Sequence, residues 1–190
     1  MAAAWMALVT ARPTTATEET FRFRIDPERS QVRFDGETTL HDLDGEARKF
    51  QGEGRAPGTL SGPDVTARVV IEAASIKTGN SLRDYVMRRN TLEVEKYPEI
   101  VFVAEGATPA GALRDRGPVK LILKGRLDLH GIVKEKQFPV TVERLAEGFV
   151  VSGKFPIRMS EHHIPDPSLF FNKVKDELIA IFKFTAVPVP

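Results

Sequence analysis

Apolar and polar residues alternate one by one along most of this chain, and this period of two constrains its fold more than any other feature. Val119–Leu129 shows it most clearly, since its odd-numbered positions are apolar or glycine and its even-numbered positions are mostly charged. Such alternation places one set of side chains on each face of a β-strand. It recurs in Phe21–Asp26, Ser30–Thr38, Phe149–Arg158 and Val174–Val187. The pattern predicts an all-β protein built from antiparallel strands.

The remaining segments are less regular. Val65–Ala74 is strongly apolar, whereas His41–Gly54 is polar, and we predict a strand there because a closed sheet leaves no edge unpaired. Gly106–Gly117, rich in Gly, Pro and Ala, is predicted to be a hairpin loop. Gly125 and Gly153 stand in inward-facing rows, where they permit the sharp coiling that barrels require. Alternation alone does not choose between a barrel and a sandwich.

One helical pattern interrupts the strands, within Ala74–Phe102. Ser81 is the predicted N-cap, and Asp84 three residues later is placed to satisfy free amides of the first turn. Pro98 ends any helix before it. Three apolar residues share one face at spacing i, i+3 and i+4: Leu82, Tyr85 and Val86. We therefore predict one short amphipathic helix lying across the open end of a curled sheet.

The chain resembles the YceI family of exported lipocalin-like proteins in two segments. One is S-I-K-T-G-N…R-D…E-V-E-K-Y-P-E-I-V-F within Ala74–Phe102, and the other is G-R-L-D-L-H-G-I-V-K at Gly125–Lys134. The likeness extends from about Phe21 to Val187. It implies an antiparallel lipocalin-like β-barrel of about eight strands, with the short helix near the barrel mouth. It also implies a long hydrophobic cavity that binds polyisoprenoids or similar lipids.

Three segments depart from the usual sequence of that family. Arg83–Val86 stands where R-D-x-H is usual, and Asn90–Leu92 stands where Asp-Phe-Phe is usual. The polar Leu40–Gly45 replaces an apolar His-Leu-Gly segment. These changes bear on the identity of the ligand more than on the fold.

The totals limit the class of protein. A chain of 190 residues with 42% hydrophobic residues can form one domain with its own core. Its net charge of +1 provides no field that would attract nucleic acid, and the absence of Cys excludes disulfides and thiolate chemistry. No run reaches the roughly 20 apolar residues that span a bilayer, so we expect no stable membrane insertion.

The N-terminus is predicted to precede the folded domain. Residues 1–20 are interpreted as a signal peptide or a disordered segment, and residues 21–190 as the barrel domain. Met1–Ala11 is a short apolar run, and Thr14–Ala16 resembles a cleavage zone. A basic n-region is missing, which leaves a frayed helix as the alternative. Together with the resemblance, this segment predicts a periplasmic or secreted protein.

The inward-facing rows are the first candidate site. The same alternation serves a solid core and a hollow barrel, so the residues alone leave both open. The resemblance implies a cavity that holds one hydrophobic small molecule, an isoprenoid or a fatty chain. The predicted lining residues are Phe23, Val32, Phe34, Val69, Ile71, Phe102, Leu121, Leu123, Leu127, Phe149, Val151, Phe155, Phe182 and Phe184.

Three polar residues are candidates for contact with a ligand head group at the rim. His130, at the end of the clearest strand, either bonds a head group or is tied to the local backbone, with Gly131 serving the turn. Arg83 and Asp84 either contact a head group or form an ion pair that anchors the helix. The sequence leaves both pairs of alternatives open.

Catalytic and metal chemistry find little support. His162, His163 and Asp166, with His41 elsewhere, are the only residues that invite a metal site, and adjacent histidines on an extended chain point to opposite sides. No Ser lies in a Gly-x-Ser-x-Gly elbow. We expect no catalytic residue, metal or cofactor, and a carrier that is not an enzyme. The alternatives are a small hydrolase or isomerase on the same barrel and a solid-core interaction module; the sequence leaves open whether the protein forms a homodimer.

Overall fold

The structure is a computed structural model that describes residues 20–39, 42–111, 117–168 and 173–189. Within these residues lie ten β-strands and one short α-helix, α1 (Ser81–Val86), which continues as one π-helical turn, Met87–Thr91. The strands are β1 (Thr20–Thr38), β2 (Asp42–Ala47), β3 (Phe50–Pro57), β4 (Thr66–Glu72), β5 (Ile76–Lys77), β6 (Glu99–Pro109), β7 (Val119–Leu129), β8 (Ile132–Leu145), β9 (Gly148–Arg158) and β10 (Val174–Val189).

The strands form one closed antiparallel sheet. Neighbours pair in the order β10-β9-β8-β7-β6-β4-β3-β1-β2-β5, and β10 also pairs with β1, which closes the ring. β2 and β3 are one run of chain interrupted at Arg48 and Lys49, and β4 and β5 are another, interrupted by the 3-10 turn Ala73–Ser75. Counted around the ring, the protein is an eight-stranded β-barrel, which confirms the predicted fold class.

The seam between β1 and β10 contains a bulge that keeps the interior rows in phase. Ile25 pairs with Ala186 and Val32 pairs with Phe182, although Ile25 and Val32 are an odd number of residues apart. The register shift between Asp26 and Gln31 absorbs the difference, so both apolar residues face inward. The bulge is fixed to β10 by Thr185, whose backbone N–H donates to the Ser30 hydroxyl at 2.9 Å.

The antiparallel topology sorts the connections between the two ends of the barrel. At the end we call the helix end lie α1, the turn between β7 and β8, and the segment between β9 and β10. At the opposite end, the terminal end, lie Thr20, Val189 and the connection between β6 and β7. The predicted loop Gly106–Gly117 begins too early in the sequence, because β6 continues to Pro109. Residues 112–116 lie outside the described part of the chain.

Packed apolar side chains fill the terminal end. Phe149 makes edge contacts with Phe21 and Phe23, with ring centroids 5.9 Å and 5.1 Å apart. Leu60, from the connection between β3 and β4, is 4% exposed and belongs to the same buried cluster, as does the fully buried Leu121. The barrel is therefore densely packed where the chain begins and ends.

The predicted strand His41–Gly54 is two strands in the structure. β2 pairs with the C-terminal half of β1 and β3 pairs with its N-terminal half, so together they occupy the edge of β1 that does not pair with β10. The polar character of this region follows from glycine at its inward positions, such as Gly52 and Gly54. His41 itself lies outside the described residues.

An apolar cavity beneath a clamped helix

The barrel encloses a cavity of about 620 Å³. All fourteen side chains predicted to line an interior do line it, and their role in binding stays a prediction. Alternation along the strands did not predict the lining residues that lie outside the strands. These include Met87 and Leu92 after α1, and Met159, Ile164 and Pro167 after β9.

The inward rows do not interlock in the middle of the barrel. Leu123, Val151 and Phe182 face the interior, yet each remains only partly buried. In a filled core such side chains would be inaccessible, because protein interiors pack without voids of this size. The solid-core alternative is therefore wrong for this barrel.

Several interior side chains occupy the space above glycines of the neighbouring strand. A Cβ atom built on Gly54 would come within 2.5 Å of the Phe23 ring, and one on Gly45 within 2.6 Å of the Phe34 ring. These are cross-strand pairs in the register of the sheet. The contact lets a large ring lie along the wall, where it leaves the centre of the barrel open. The same contact joins Phe102 to Gly125, Phe182 to Gly153 and Leu178 to Gly36.

Aromatic rings form a continuous belt around part of this wall. Phe138 and Phe155 stack with centroids 4.3 Å apart, and Phe138 also approaches Phe102 at 5.6 Å and Phe182 at 6.0 Å. Phe182 stacks in turn on Phe184 at 5.1 Å. The belt presents ring faces and edges to the cavity and offers no hydrogen bond. The wall therefore favours apolar ligands that need no polar partner.

The cavity opens at the helix end. Asn80 and Leu82 are exposed to solvent and also line the cavity, so its mouth lies beside the start of α1. Most polar residues of the lining gather close by, at the end of β1 and around α1, and they are Thr38, Thr78, Asn80, Arg83 and Thr91. Arg33 also borders the cavity, but it stands between the inward-facing Val32 and Phe34, and its exposed guanidinium lies 3.8 Å from the carboxylate of Asp35 on the outer face.

Helix α1 is anchored through Thr78. The carboxylate Oδ1 of Asp84 accepts hydrogen bonds from both the backbone N–H and the hydroxyl of Thr78, each at 2.7 Å. Arg83 donates from Nε to the Thr78 hydroxyl oxygen at 2.7 Å and from its terminal nitrogen to the Thr78 carbonyl. Arg83 and Asp84 thus hold the same residue from two sides. The anchoring alternative is favoured, with Thr78 between the two charges in place of a direct ion pair.

Asp84 is almost fully buried, at 3% exposure, and still ionised. Burial acting alone would raise the pKa of its carboxyl group. The side-chain and backbone hydrogen bonds from Thr78, with the charges of Lys77 and Arg88, outweigh burial and hold the pKa below its ordinary value.

Two expectations about this helix are wrong. The N-cap is Asn80, whose side chain accepts from the backbone N–H groups of Leu82 and Arg83, and Ser81 is the first helical residue. The predicted apolar face is mostly exposed, since Leu82 is 71% exposed and Tyr85 is 55% exposed, and of its three residues only Val86 is partly buried. The buried helical residue is the charged Asp84.

His130 is buried in the turn between β7 and β8 and does not line the cavity. Its Nε2 lies 3.0 Å from Glu93 Oε2, and its Nδ1 lies 3.1 Å from the carbonyl oxygen of His162. The ring also packs against Tyr97, with centroids 4.2 Å apart. Both ring nitrogens are occupied, so the geometry favours the local role over contact with a head group.

His162 is fully buried in the short 3-10 turn Ser160–His162. Its Nδ1 donates to the carbonyl oxygens of Leu129 and Ile132, at 3.1 Å and 3.0 Å, while its Nε2 has no partner within the described chain. Desolvation is the main reason that the pKa of His162 is lowered. A neutral ring therefore connects this turn to β7 and β8.

The described residues bring no metal cluster together. His163 is exposed and Asp166 accepts from the backbone of Ser168, so neither converges with His162. Within the described ranges, no group of three His, Asp or Glu side chains is placed to hold an ion.

An eight-stranded antiparallel barrel with one packed end, an apolar interior and a short helix at its mouth defines a lipocalin-like binding fold. The chain belongs to the family described as the YceI-like domain, whose model matches residues 23–186. Three solved structures share the fold. BcnA of Burkholderia cenocepacia has a TM-score of 0.73 and 21% identity, over 86% of this chain and 99% of the other.

The second structure is a domain of Saccharophagus degradans described as polyisoprenoid-binding, with a TM-score of 0.70 and 16% identity over 89% of this chain and 99% of the other. The third is the YCEI protein of Campylobacter jejuni, with a TM-score of 0.59 and 15% identity over 80% of this chain and 88% of the other. No curated protein matches this sequence significantly. In the part of the chain that the structure describes, no helix has the length and apolarity needed to cross a bilayer.

Proposed function

We propose that this protein binds one long hydrophobic molecule, an isoprenoid or an acyl chain, inside the barrel and carries it through an aqueous compartment. The observation that supports this most directly is the open apolar cavity itself, about 620 Å³ with its mouth at the helix end. Its volume falls within the roughly 300–1,000 Å³ of ordinary ligand sites.

The lining supplies the binding free energy through burial. Each CH₂ group transferred from water to an apolar site contributes about 0.8 kcal/mol, so affinity rises about fourfold per added CH₂ until the cavity is full. Polar lining atoms occur mainly at the mouth, where Asn80 and the terminal nitrogen of Arg83 that does not bond Thr78 are the groups left to meet a head group. The interior therefore selects for length and bulk, and the mouth for the polar end.

An isoprenoid is the first ligand to test. The domain from Saccharophagus degradans, which shares this fold, is described as polyisoprenoid-binding. The aromatic belt around Phe138 offers ring faces that suit the branched, unsaturated units of a prenyl chain as well as a straight acyl chain.

The lining favours binding over catalysis. Within the described chain, the cavity wall includes no Ser, His, Asp or Glu side chain. The His–carboxylate pair of His130 and Glu93 lies outside the cavity and is tied to the backbone of His162. A hydrolase needs a nucleophile with a base beside it, and the described wall offers the hydroxyls of Thr38, Thr78 and Thr91 without a His or carboxylate base.

We also propose that the barrel domain is exported to the periplasm or secreted. Membership of the family and the apolar run Met1–Ala11 support this. Fractionation of cells that produce the full chain, followed by N-terminal sequencing of the mature protein, tests it. A cytosolic, uncleaved chain would contradict export and would leave ligand binding unaffected.

The ligand proposal is tested first by extraction. Native mass spectrometry of the purified protein, followed by organic extraction, is expected to reveal a co-purifying long-chain lipid. Delipidated protein is then titrated with a fluorescent farnesyl probe and a fluorescent palmitate probe, and each is expected to bind at one site.

Two adjacent valines on β9 make a matched pair of variants. Val151 lines the cavity, whereas Val150 faces the outside of the barrel and does not. Val151→Phe is expected to weaken probe binding by about an order of magnitude, because the added ring fills space that several CH₂ groups would occupy. Val150→Phe is expected to bind like the parent protein. Equal affinities for the two variants, or no probe binding by the parent, would refute binding in the interior.

A further inference from the structure

The exposed apolar side chains of the described residues are concentrated at the helix end. Four large apolar residues are strongly exposed, and three of them, Leu82, Tyr85 and Val133, lie at this end. Leu145 alone lies at the terminal end, and it is the least exposed of the four, at 38%. Two of them, Leu82 and Tyr85, lie together on α1 beside the mouth of the cavity, where an exposed apolar surface marks a candidate site of contact.

The outward face of α1 and the turn after it combines apolar groups with cations. Leu82 and Tyr85 project to solvent, and the exposed Arg89 donates from its guanidinium to the Tyr85 hydroxyl at 3.2 Å. The one acidic residue in 81–91, Asp84, is buried against Thr78. The face that reaches solvent therefore carries positive charge without a compensating carboxylate of its own.

We propose that this face, formed by Leu82, Tyr85 and Arg89, docks on the surface of an anionic lipid bilayer. Tyr lies readily at the boundary between hydrocarbon and water, because its ring is apolar and its hydroxyl is polar. Arg extends its apolar stem along such a boundary and keeps its charge at the phosphate level, and each basic residue near an anionic surface strengthens attachment. The docking is peripheral, with no segment crossing the membrane.

The position of Leu82 connects this surface to the cavity. It is 71% exposed and also lines the cavity, followed inward by Val86 and Met87. Apolar side chains of α1 and the turn after it thus connect the exposed surface at Leu82 with the lining of the cavity. This deepens the proposed carrier function, on which it rests, by assigning the bilayer as the source or destination of the ligand.

A second copy of this chain suits the surface less well. Specific protein interfaces bury about 800 Å² on each partner, far more than two side chains of a six-residue helix provide. A two-fold dimer through this face would also bring the Arg89 charges of both copies into one interface to which the face itself contributes no exposed carboxylate.

The test uses the full chain with sedimented vesicles of phosphatidylcholine, with and without phosphatidylglycerol. The parent protein is expected to bind the anionic vesicles more tightly and to lose affinity as salt is added. Tyr85→Ser and Arg89→Gln leave the cavity lining unchanged, and each is expected to weaken vesicle binding by about fivefold. Leu145→Ser, at the other end, is the control and is expected to bind like the parent.

The same variants are titrated in solution with the farnesyl and palmitate probes, without vesicles. Unchanged probe affinity beside weakened vesicle binding would support docking. Probe binding without any vesicle binding would overturn docking and leave the carrier function intact, whereas vesicle binding without probe binding would overturn the carrier function. Self-association of the parent that Tyr85→Ser abolishes, measured by sedimentation velocity without vesicles, would assign the surface to a second copy and overturn the proposal.

Discussion

The ring of Phe182 lies directly against Gly153, its cross-strand partner on β9. A Cβ atom at Gly153 would come within 2.8 Å of the Phe182 ring and 3.1 Å of a methyl carbon of Val140. The ring of Phe182 thus occupies the space that a side chain at position 153 would need. Without that space the ring would turn toward the centre of the barrel, so the width of the cavity depends on a residue that has no side chain.

Gly153→Ala is expected to narrow the cavity and to weaken binding of the longer probe. The added methyl must displace the Phe182 ring, and such overpacking costs about 1–3 kcal/mol of stability. Thermal unfolding and probe titration measure the two effects. Phe182→Leu in the same chain removes the clash and is expected to restore both. If Gly153→Ala binds the long probe as well as the parent does, the glycine does not set the width.

The interior rows were predictable because alternation is a local property of each strand. Leu121, Leu123 and Leu127 face inward as a period of two requires, and tertiary structure has no freedom to change that once the strand forms. Whether those rows meet in the middle was not predictable, since it depends on contacts between strands. The glycines at 125 and 153 were visible as inward positions, but the rings that lie on them come from other strands.

The helix was predictable in existence and not in orientation. Six residues provide too few positions for an apolar period to fix a face, and hydrogen bonds from Thr78 turn Asp84 inward in place of Leu82 and Tyr85. Asn80 and Ser81 are both good N-caps by composition. Only the extended backbone of Asn80 decides between them.

Asp84→Ala is expected to destabilise the protein and to loosen the mouth. The substitution leaves the buried backbone N–H and hydroxyl of Thr78 without their acceptor. Each lost hydrogen bond to a charged group costs about 1.5–3 kcal/mol of unfolding free energy. Asp84→Asn keeps an accepting oxygen and is expected to cost less. Denaturant unfolding measures the unfolding free energy of each variant, with the exposed Asp166→Ala as a control. Equal losses of unfolding free energy in all three variants would show that the hydrogen bonds from Thr78 to Asp84 contribute nothing.

The stabilisation from Asp84 is expected to depend on pH in a defined direction. Because its folded pKa lies below the ordinary value, the contribution is present above about pH 4, where the unfolded carboxyl is ionised, and is lost as pH falls through the folded pKa. The difference in unfolding free energy between the parent and Asp84→Asn should therefore shrink only at strongly acidic pH. A difference that shrinks near neutrality would be inconsistent with this assignment.

Two glycines at the helix end allow the cost of backbone strain to be distinguished from the cost of steric crowding. Gly79 and Gly131 have φ values of +78° and +73°, so alanine is strained at both, by about 1–2 kcal/mol. A Cβ at Gly79 meets nothing within 4 Å, whereas one at Gly131 would come within 2.7 Å of the Tyr97 ring. Gly131→Ala is therefore expected to lower the unfolding free energy more than Gly79→Ala. Equal losses would mean that Tyr97 yields without cost.

Stability is expected to fall through His162 as the pH drops below the ordinary histidine pKa of about 6.5. Its folded pKa is lowered, first by burial and also by Lys136, while hydrogen bonds to the carbonyls of Ile132 and Leu129 and the charge of Glu161 act in the opposite direction. Above about pH 6.5 the ring is neutral in the folded and unfolded chains alike, so it makes no pH-dependent contribution. Below that pH the unfolded chain takes up a proton that the folded chain refuses, and the unfolding free energy decreases until the folded pKa is reached.

The variant that isolates this effect is His162→Asn, whose amide group is placed to donate to the same two carbonyl oxygens and does not titrate. Its unfolding free energy is expected to change less than that of the parent between pH 7.5 and pH 5.5, as measured by urea denaturation at each pH. The carboxyl groups of Asp84, Asp166 and Asp176, whose pKa values are lowered, stay ionised over this range and do not mask the effect. Met159 and Ile164 flank the turn and line the cavity, so protonation of His162 is expected to disturb two side chains of the cavity wall. An identical pH dependence of the unfolding free energy in the parent and in His162→Asn would show that His162 does not cause the loss of stability.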